Sequence, residues 1–165
     1  RAVGLPLKGT QDYEPCEEDY TISYLNLPEV KAAIHVKDDV KWNSCSYTLK
    51  YDPLDGKNSM VPIYQYLIDG GFGLNILVYS GDDDSVCATI GTQSWIWDMG
   101  YEVDGQMWET YTVNDQTAGY ITKWKDTKLG FVTVHKAGHE VPTYTPEVAL
   151  DLWIKYINGE WTNAY

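Results

Sequence analysis

Apolar residues follow two rhythms along this chain. In TPEVALDLWIKYING, Val148, Ala149, Leu152, Trp153 and Tyr156 fall three or four apart and share one helical face. Thr145 stands at the cap position, Pro146 in the first turn and Gly159 past the end. SMVPIYQYLIDGG predicts a second helix, capped by Ser59 and closed by Gly70 and Gly71. LNLPEVKAAIHV predicts a shorter one, with Asn26 or Leu27 at the cap, Pro28 in the first turn and its end near His35. ATIGTQSWIWDMG is also helix-like. The other rhythm is a continuous apolar run: Ile76 to Tyr79, bounded by glycines, predicts a strand buried on both faces, as a parallel sheet requires.

GYITKWKDTKLGFVTVHKAG predicts a hairpin, with its turn at Asp126 to Lys128 and its inner strand at Leu129 to Val134. Residues 37–58 are rich in charges, aromatics and turn formers and predict an irregular connection. Residues 1–20, polar and acidic with Pro6 and Pro15, predict an arm or loop. No repeat, low-complexity tract or interdomain linker divides the chain, so residues 1–165 are expected to belong to one domain. Helices alternating with strands indicate an α/β sheet, in which functional loops lie at the carboxyl ends of strands. Two loops qualify, one after Ile76 to Tyr79 and one after Phe131 to Val134.

Composition narrows the partners. With 165 residues, 44% of them hydrophobic, the chain is long enough for one core, and no run of about eighteen apolar residues suggests a membrane span. A formal net charge of −12 argues against nucleic acid and anionic lipid, because phosphates would be repelled. Three cysteines, Cys16, Cys45 and Cys87, are an odd count, so at least one does not pair within the chain. Their spacing with His35, His135 and His139 matches no zinc motif, and no metal is expected. A start at Arg1 without signal-peptide features reads as a processed product.

The two strand-end loops read SGDDDSVC and KAGHEVP, which place aspartates at the end of one strand and His139 at the end of the other. That is the second half of the Ser, Asp, His order found along α/β-hydrolase chains. A serine hydroxyl is a poor nucleophile until an imidazole takes its proton, and the imidazole needs a carboxylate to fix its tautomer. Yet no serine here has glycines two positions before and after it, so the nucleophile elbow is missing. The chain is no enzyme, or its serine lies on another chain, or the pattern is a coincidence. The residues alone do not separate Asp82, Asp83 and Asp84, and three adjacent aspartates also suit a solvated turn or a calcium loop.

Four stretches, in order, resemble the C-terminal portion of the serine carboxypeptidases: PCEEDYTISYLNLPEVKAAIHV, WNSCS, ILVYSGDDDSVCATIGTQSWI and FVTVHKAGHEVPTYTPEVALDLWIKYING. The resemblance implies the C-terminal part of an α/β-hydrolase fold, a mixed, mostly parallel sheet flanked by helices and completed by a separate N-terminal chain. It implies Asp84 as the triad acid, His139 in A-G-H-x-V-P as the base, and a structural Asp82. It further implies that the serine, the oxyanion donors and the grip on the substrate's terminal carboxylate belong to that N-terminal chain, released from one zymogen and joined through Cys16 and Cys45. Cys87 is then a reduced thiol near the active site, and Glu18 and Glu140 lie beside the pocket for the residue cleaved off, which favours basic as well as apolar C-terminal residues. Peptides are the substrates, no cofactor is implied, and a homodimer of the two-chain unit is compatible with the pattern. The implied compartment is lysosomal, vacuolar or secreted.

Acyltransferases and hydroxynitrile lyases use the same scaffold, so fold does not decide reaction. From another class, seven Trp and fourteen Tyr in an acidic chain suit a carbohydrate-binding module with a calcium-bound turn. Against that module, aromatics such as Trp153 and Tyr156 fall on an expected core face.

Overall fold

The computed structural model describes residues 16–46 and 48–161. The chain divides into two compact units, with the break between Asn58 and Ser59.

In the first unit, α1 (Glu17–Leu25) and α2 (Pro28–Ala33) are followed by irregular backbone and a single 3₁₀ turn at Asp55–Lys57. The expected arm over residues 1–20 lies mostly outside the described residues, and its end is corrected: residues 17–20 open a helix. Glu17, Glu18 and Asp19 fill the first turn of α1, where carboxylates complement the helix dipole. That electrostatic signal carries no apolar periodicity, which is why a hydrophobic pattern misses it. Lys31 is buried and donates through Nζ to the carbonyl oxygens of Asp38 and Val40, while Asn26 brackets the Trp42 backbone, accepting from its N–H and donating to its C=O.

The second unit holds α3 (Val61–Asp69), β1 (Ile76–Gly81), α4 (Thr89–Trp97), β2 (Val103–Val113), β3 (Gln116–Trp124), β4 (Leu129–Val134), α5 (Val141–Tyr144) and α6 (Pro146–Ile157). The strands form one mixed sheet in the order β1-β4-β3-β2, with β1 parallel to β4 and the other two pairings antiparallel. Alternation along β4 assigns its two faces. Val132 and Val134 pack with Leu77, Val148, Ala149, Leu152 and Tyr156 under α6. Leu129 and Phe131 pack with Ile76, Val78, Val61, Tyr64, Ile68 and Ile96 under α3 and α4. Helices therefore cover both faces, and every residue of β4 is buried.

Burial on both faces was expected of β1, but belongs to β4. Among the described residues β1 has one strand neighbour, and its apolar residues are only half-buried, with Tyr79 49% exposed. Trp153 is a second correction, because it is 57% exposed, and lies off the packed face. It lines an open apolar groove of about 350 Å3 with Tyr79, Val141, Pro142 and Leu150. Strand β2 was not foreseen. Its pairing jumps from Asp104↔Lys123 to Glu109↔Ile121, with Gly105 and Trp108 at positive φ, and this bulge destroys the two-residue alternation that marks a strand. The turn before β4 is locked by Thr127, whose hydroxyl donates to Trp124 O and accepts from Leu129 N–H.

Candidate active site

β1 and β4 are adjacent and parallel, paired from Ile76↔Leu129 to Gly81↔Val134, so their carboxyl ends open on the same side. The loops that follow are stitched together: Asp82 N–H donates to Val134 O and Asp83 N–H to Ala137 O, both at 3.0 Å. The approach is close enough that a Cβ on Gly81 would stand 2.2 Å from Ala137 O and 2.4 Å from Gly138 O, so only glycine fits. Thr89, at the start of α4, donates from its hydroxyl to Gly81 O at 2.8 Å and fixes the strand end from the other side.

On this frame the aspartates diverge. The Asp82 carboxylate binds His135 Nδ1 and accepts from Lys136 N–H at 2.9 Å, which ties the first loop to the second. Asp84 turns back on its own loop: Oδ1 accepts from Val86 N–H at 2.7 Å and from Cys87 N–H at 2.9 Å, an Asx-type turn. This leaves Oδ2 for His139 Nδ1, 3.1 Å away. The Asp84 side chain is 6% exposed and that of His139 53%. One oxygen thus fixes the loop while the other orients the ring.

The electrostatics agree with the hydrogen bonding. The Cys87 N–H, opposed by burial and then seconded by His139 and Val86 N–H, holds the Asp84 carboxyl below its ordinary value of 3.8. With Asp84 ionised and accepting the Nδ1–H proton, the ring is held in the tautomer that leaves Nε2 without a proton.

Cys87 completes the cluster. Its Sγ, a carboxylate oxygen of Asp84 and a ring nitrogen of His139 lie within 4.8 Å of one another, and the Cys87 residue is exposed. Glu140 is exposed at the start of α5, where Oε2 accepts from the Thr143 hydroxyl. Glu18, Cys16 and Cys45 are exposed in the other unit. The structure thus brings Asp84, Cys87 and His139 together and leaves Glu18, Cys16 and Cys45 in a separate unit. The Asp82–His135 pair was missed as a pair in the sequence. Its signal was present in the second histidine, four residues before His139 on the same strand-end segment.

Among the described residues no helix is long and apolar enough to cross a membrane. A family model described as serine carboxypeptidase matches residues 5–159. Serine carboxypeptidase-like 22 of Arabidopsis thaliana is 38% identical over 159 residues, covering 93% of this chain and 33% of the relative. Serine carboxypeptidase 24 of the same plant is 36% identical over 151 residues, covering 90% and 31%. The chain therefore spans about a third of the length of these relatives. Among solved structures, Kex1(delta)p, a prohormone-processing carboxypeptidase from Saccharomyces cerevisiae, superposes with a TM-score of 0.64 at 20% identity, over 85% of this chain and 31% of that one. This likeness establishes the fold, a portion of an α/β-hydrolase with a mixed sheet flanked by helices. With a family match across residues 5–159 and an Asp–His pair at the ends of adjoining parallel strands, this chain belongs to the serine carboxypeptidase family.

Proposed function

We propose that this chain supplies the acid and the base of a serine carboxypeptidase whose nucleophilic serine lies outside it. The observation that carries the reading is the His139 Nδ1–Asp84 Oδ2 hydrogen bond, made by a carboxylate that two backbone N–H groups already hold in place. In the reaction, Nε2 of His139 takes the proton of the serine hydroxyl as it attacks the carbonyl of the last peptide bond. The same nitrogen returns the proton to the departing amine, and the C-terminal amino acid leaves. Water, deprotonated by the same imidazole, then hydrolyses the acyl-enzyme. Asp84 stays ionised throughout and stabilises the imidazolium.

The serine and the oxyanion donors belong to an N-terminal chain of the same precursor, linked through Cys16 and Cys45, whose exposure makes them accessible to a partner's thiols. Such bridges require an oxidising compartment, consistent with lysosome, vacuole or secretion. Glu140, next to the base along the chain, offers a carboxylate to the departing residue, and charge-assisted hydrogen bonds there favour lysine and arginine without excluding apolar residues.

The whole protein tests this. A fluorophosphonate should label one serine, outside the sequence 1–165, and block release of single residues from peptide C-termini. Peptide mapping should recover the label on a chain that non-reducing electrophoresis shows attached to this one. Labelling within residues 1–165, or cleavage confined to internal bonds, overturns the proposal. Acyl transfer to an alcohol without hydrolysis, or cyanide release from a cyanohydrin, would assign the scaffold's other chemistries instead.

A further inference from the structure

We infer that Asp84, Cys87 and His139 form a binding site for a borderline divalent cation of the zinc type, and that occupancy of this site switches the dyad off. The second half rests on the proposed function; the first stands on geometry alone. Spacing along the chain gave no hint of such a site, because two ligands are three residues apart and the third lies on a different loop.

Around tetrahedral zinc, bond lengths of about 2.0–2.3 Å place oxygen, nitrogen and sulfur ligands roughly 3.3–3.6 Å apart. Asp84 Oδ2 and His139 Nδ1 already stand 3.1 Å apart, and no pair in the cluster is separated by more than 4.8 Å. Closing the site therefore asks for a shift of about an ångström or so, which falls on Cys87 and His139. Those are the two exposed members, with room to rotate. Asp84, the buried one, does not need to move. Its remaining oxygen is saturated by the Val86 and Cys87 N–H groups, the kind of outer-shell support that orients a ligating carboxylate.

The donor set selects the ion. Thiolate, imidazole and carboxylate together suit zinc and its neighbours, whereas calcium and magnesium take oxygen ligands. An oxygen-only calcium loop is disfavoured in the same segment, because Asp82 is engaged with His135 and Lys136 N–H while Asp84 faces His139. Three protein ligands leave a fourth position for water or substrate, and a chain of formal charge −12 draws cations toward it. Binding releases the thiol proton of Cys87 to solvent. The cation then occupies the space where Asp84 and His139 share a proton, and the ring no longer serves as a base.

Cobalt chloride is the first probe, added to the whole protein. One equivalent should bind with a thiolate-to-cobalt charge-transfer band, and zinc should displace it. Cys87→Ser should abolish the band, and His139→Gln, which keeps the thiol, should weaken cobalt binding by at least the about 10–100-fold that loss of an outer-shell partner costs. In the peptidase assay, zinc should inhibit, a chelator should restore the rate, and Cys87→Ser should raise the inhibitory concentration at least tenfold. No thiolate band at saturating cobalt, a band that survives Cys87→Ser, or zinc inhibition undiminished in that variant overturns the inference. The band is read without turnover, so its failure is distinguishable from failure of the catalytic reading.

Discussion

Replacing Asp84 by asparagine separates orientation from folding. The two backbone donors, Val86 N–H and Cys87 N–H, both point at Oδ1, so the new amide must set its carbonyl oxygen there and its NH2 toward His139. Two of the three hydrogen bonds persist, and the third reverses: an N–H now faces Nδ1, 3.1 Å away in the parent. The ring responds by carrying its proton on Nε2, the atom that must be bare to act as base. Fold and substrate binding are retained while kcat falls by on the order of 10⁴, the size of the same change in other triads. Asp82→Asn is the matched control. It keeps the acceptor for Lys136 N–H and changes only the half-exposed contact with His135, a surface interaction worth about 0.2–1 kcal/mol, so activity should stay within a few-fold. Peptide hydrolysis by the whole protein, with circular dichroism and Tm as fold checks, compares the two. A well-folded Asp84→Asn within tenfold of the parent, or a crippled Asp82→Asn, refutes the assignment.

Gly81→Ala should cost about 1–3 kcal/mol or more, because the new methyl meets the Ala137 and Gly138 carbonyl oxygens at 2.2 and 2.4 Å, and the loop carrying His139 must retreat; urea midpoints and kcat together check it. The Asp84 carboxyl is depressed, so the stability it contributes is fully present above its ordinary 3.8 and fades as pH falls through the lower folded value; Tm of parent and Asp84→Asn should differ near neutrality and converge in strong acid. Peptide mapping of the whole protein should find Cys87 alkylatable without reduction, and Cys16 and Cys45 only after it. The ratio of kcat/KM for matched peptides ending in Arg and Leu should fall in Glu140→Met, and an unchanged ratio removes Glu140 from the pocket.

What the sequence determined by itself is local. Thr145 to Gly159 states a helix, because cap, first-turn proline, apolar spacing and closing glycine agree within fifteen residues, and the structure has α6 at Pro146–Ile157. The apolar runs of β1 and β4 and the turn between β3 and β4 were equally legible, since each depends on neighbours along the chain. Bulged β2 and α1, with its acidic first turn, were not, because neither carries a hydrophobic period. Sequence also could not rank β1 and β4 by burial, which depends on how many strands flank each. Nor could it choose among Asp82, Asp83 and Asp84 without the family resemblance. Only the tertiary structure assigned partners, by setting two parallel strand ends side by side so that Asp82 met His135 and Asp84 met His139 across more than fifty residues of chain. The same crossing brought His139 to Cys87, which stands only three residues from Asp84 along the chain.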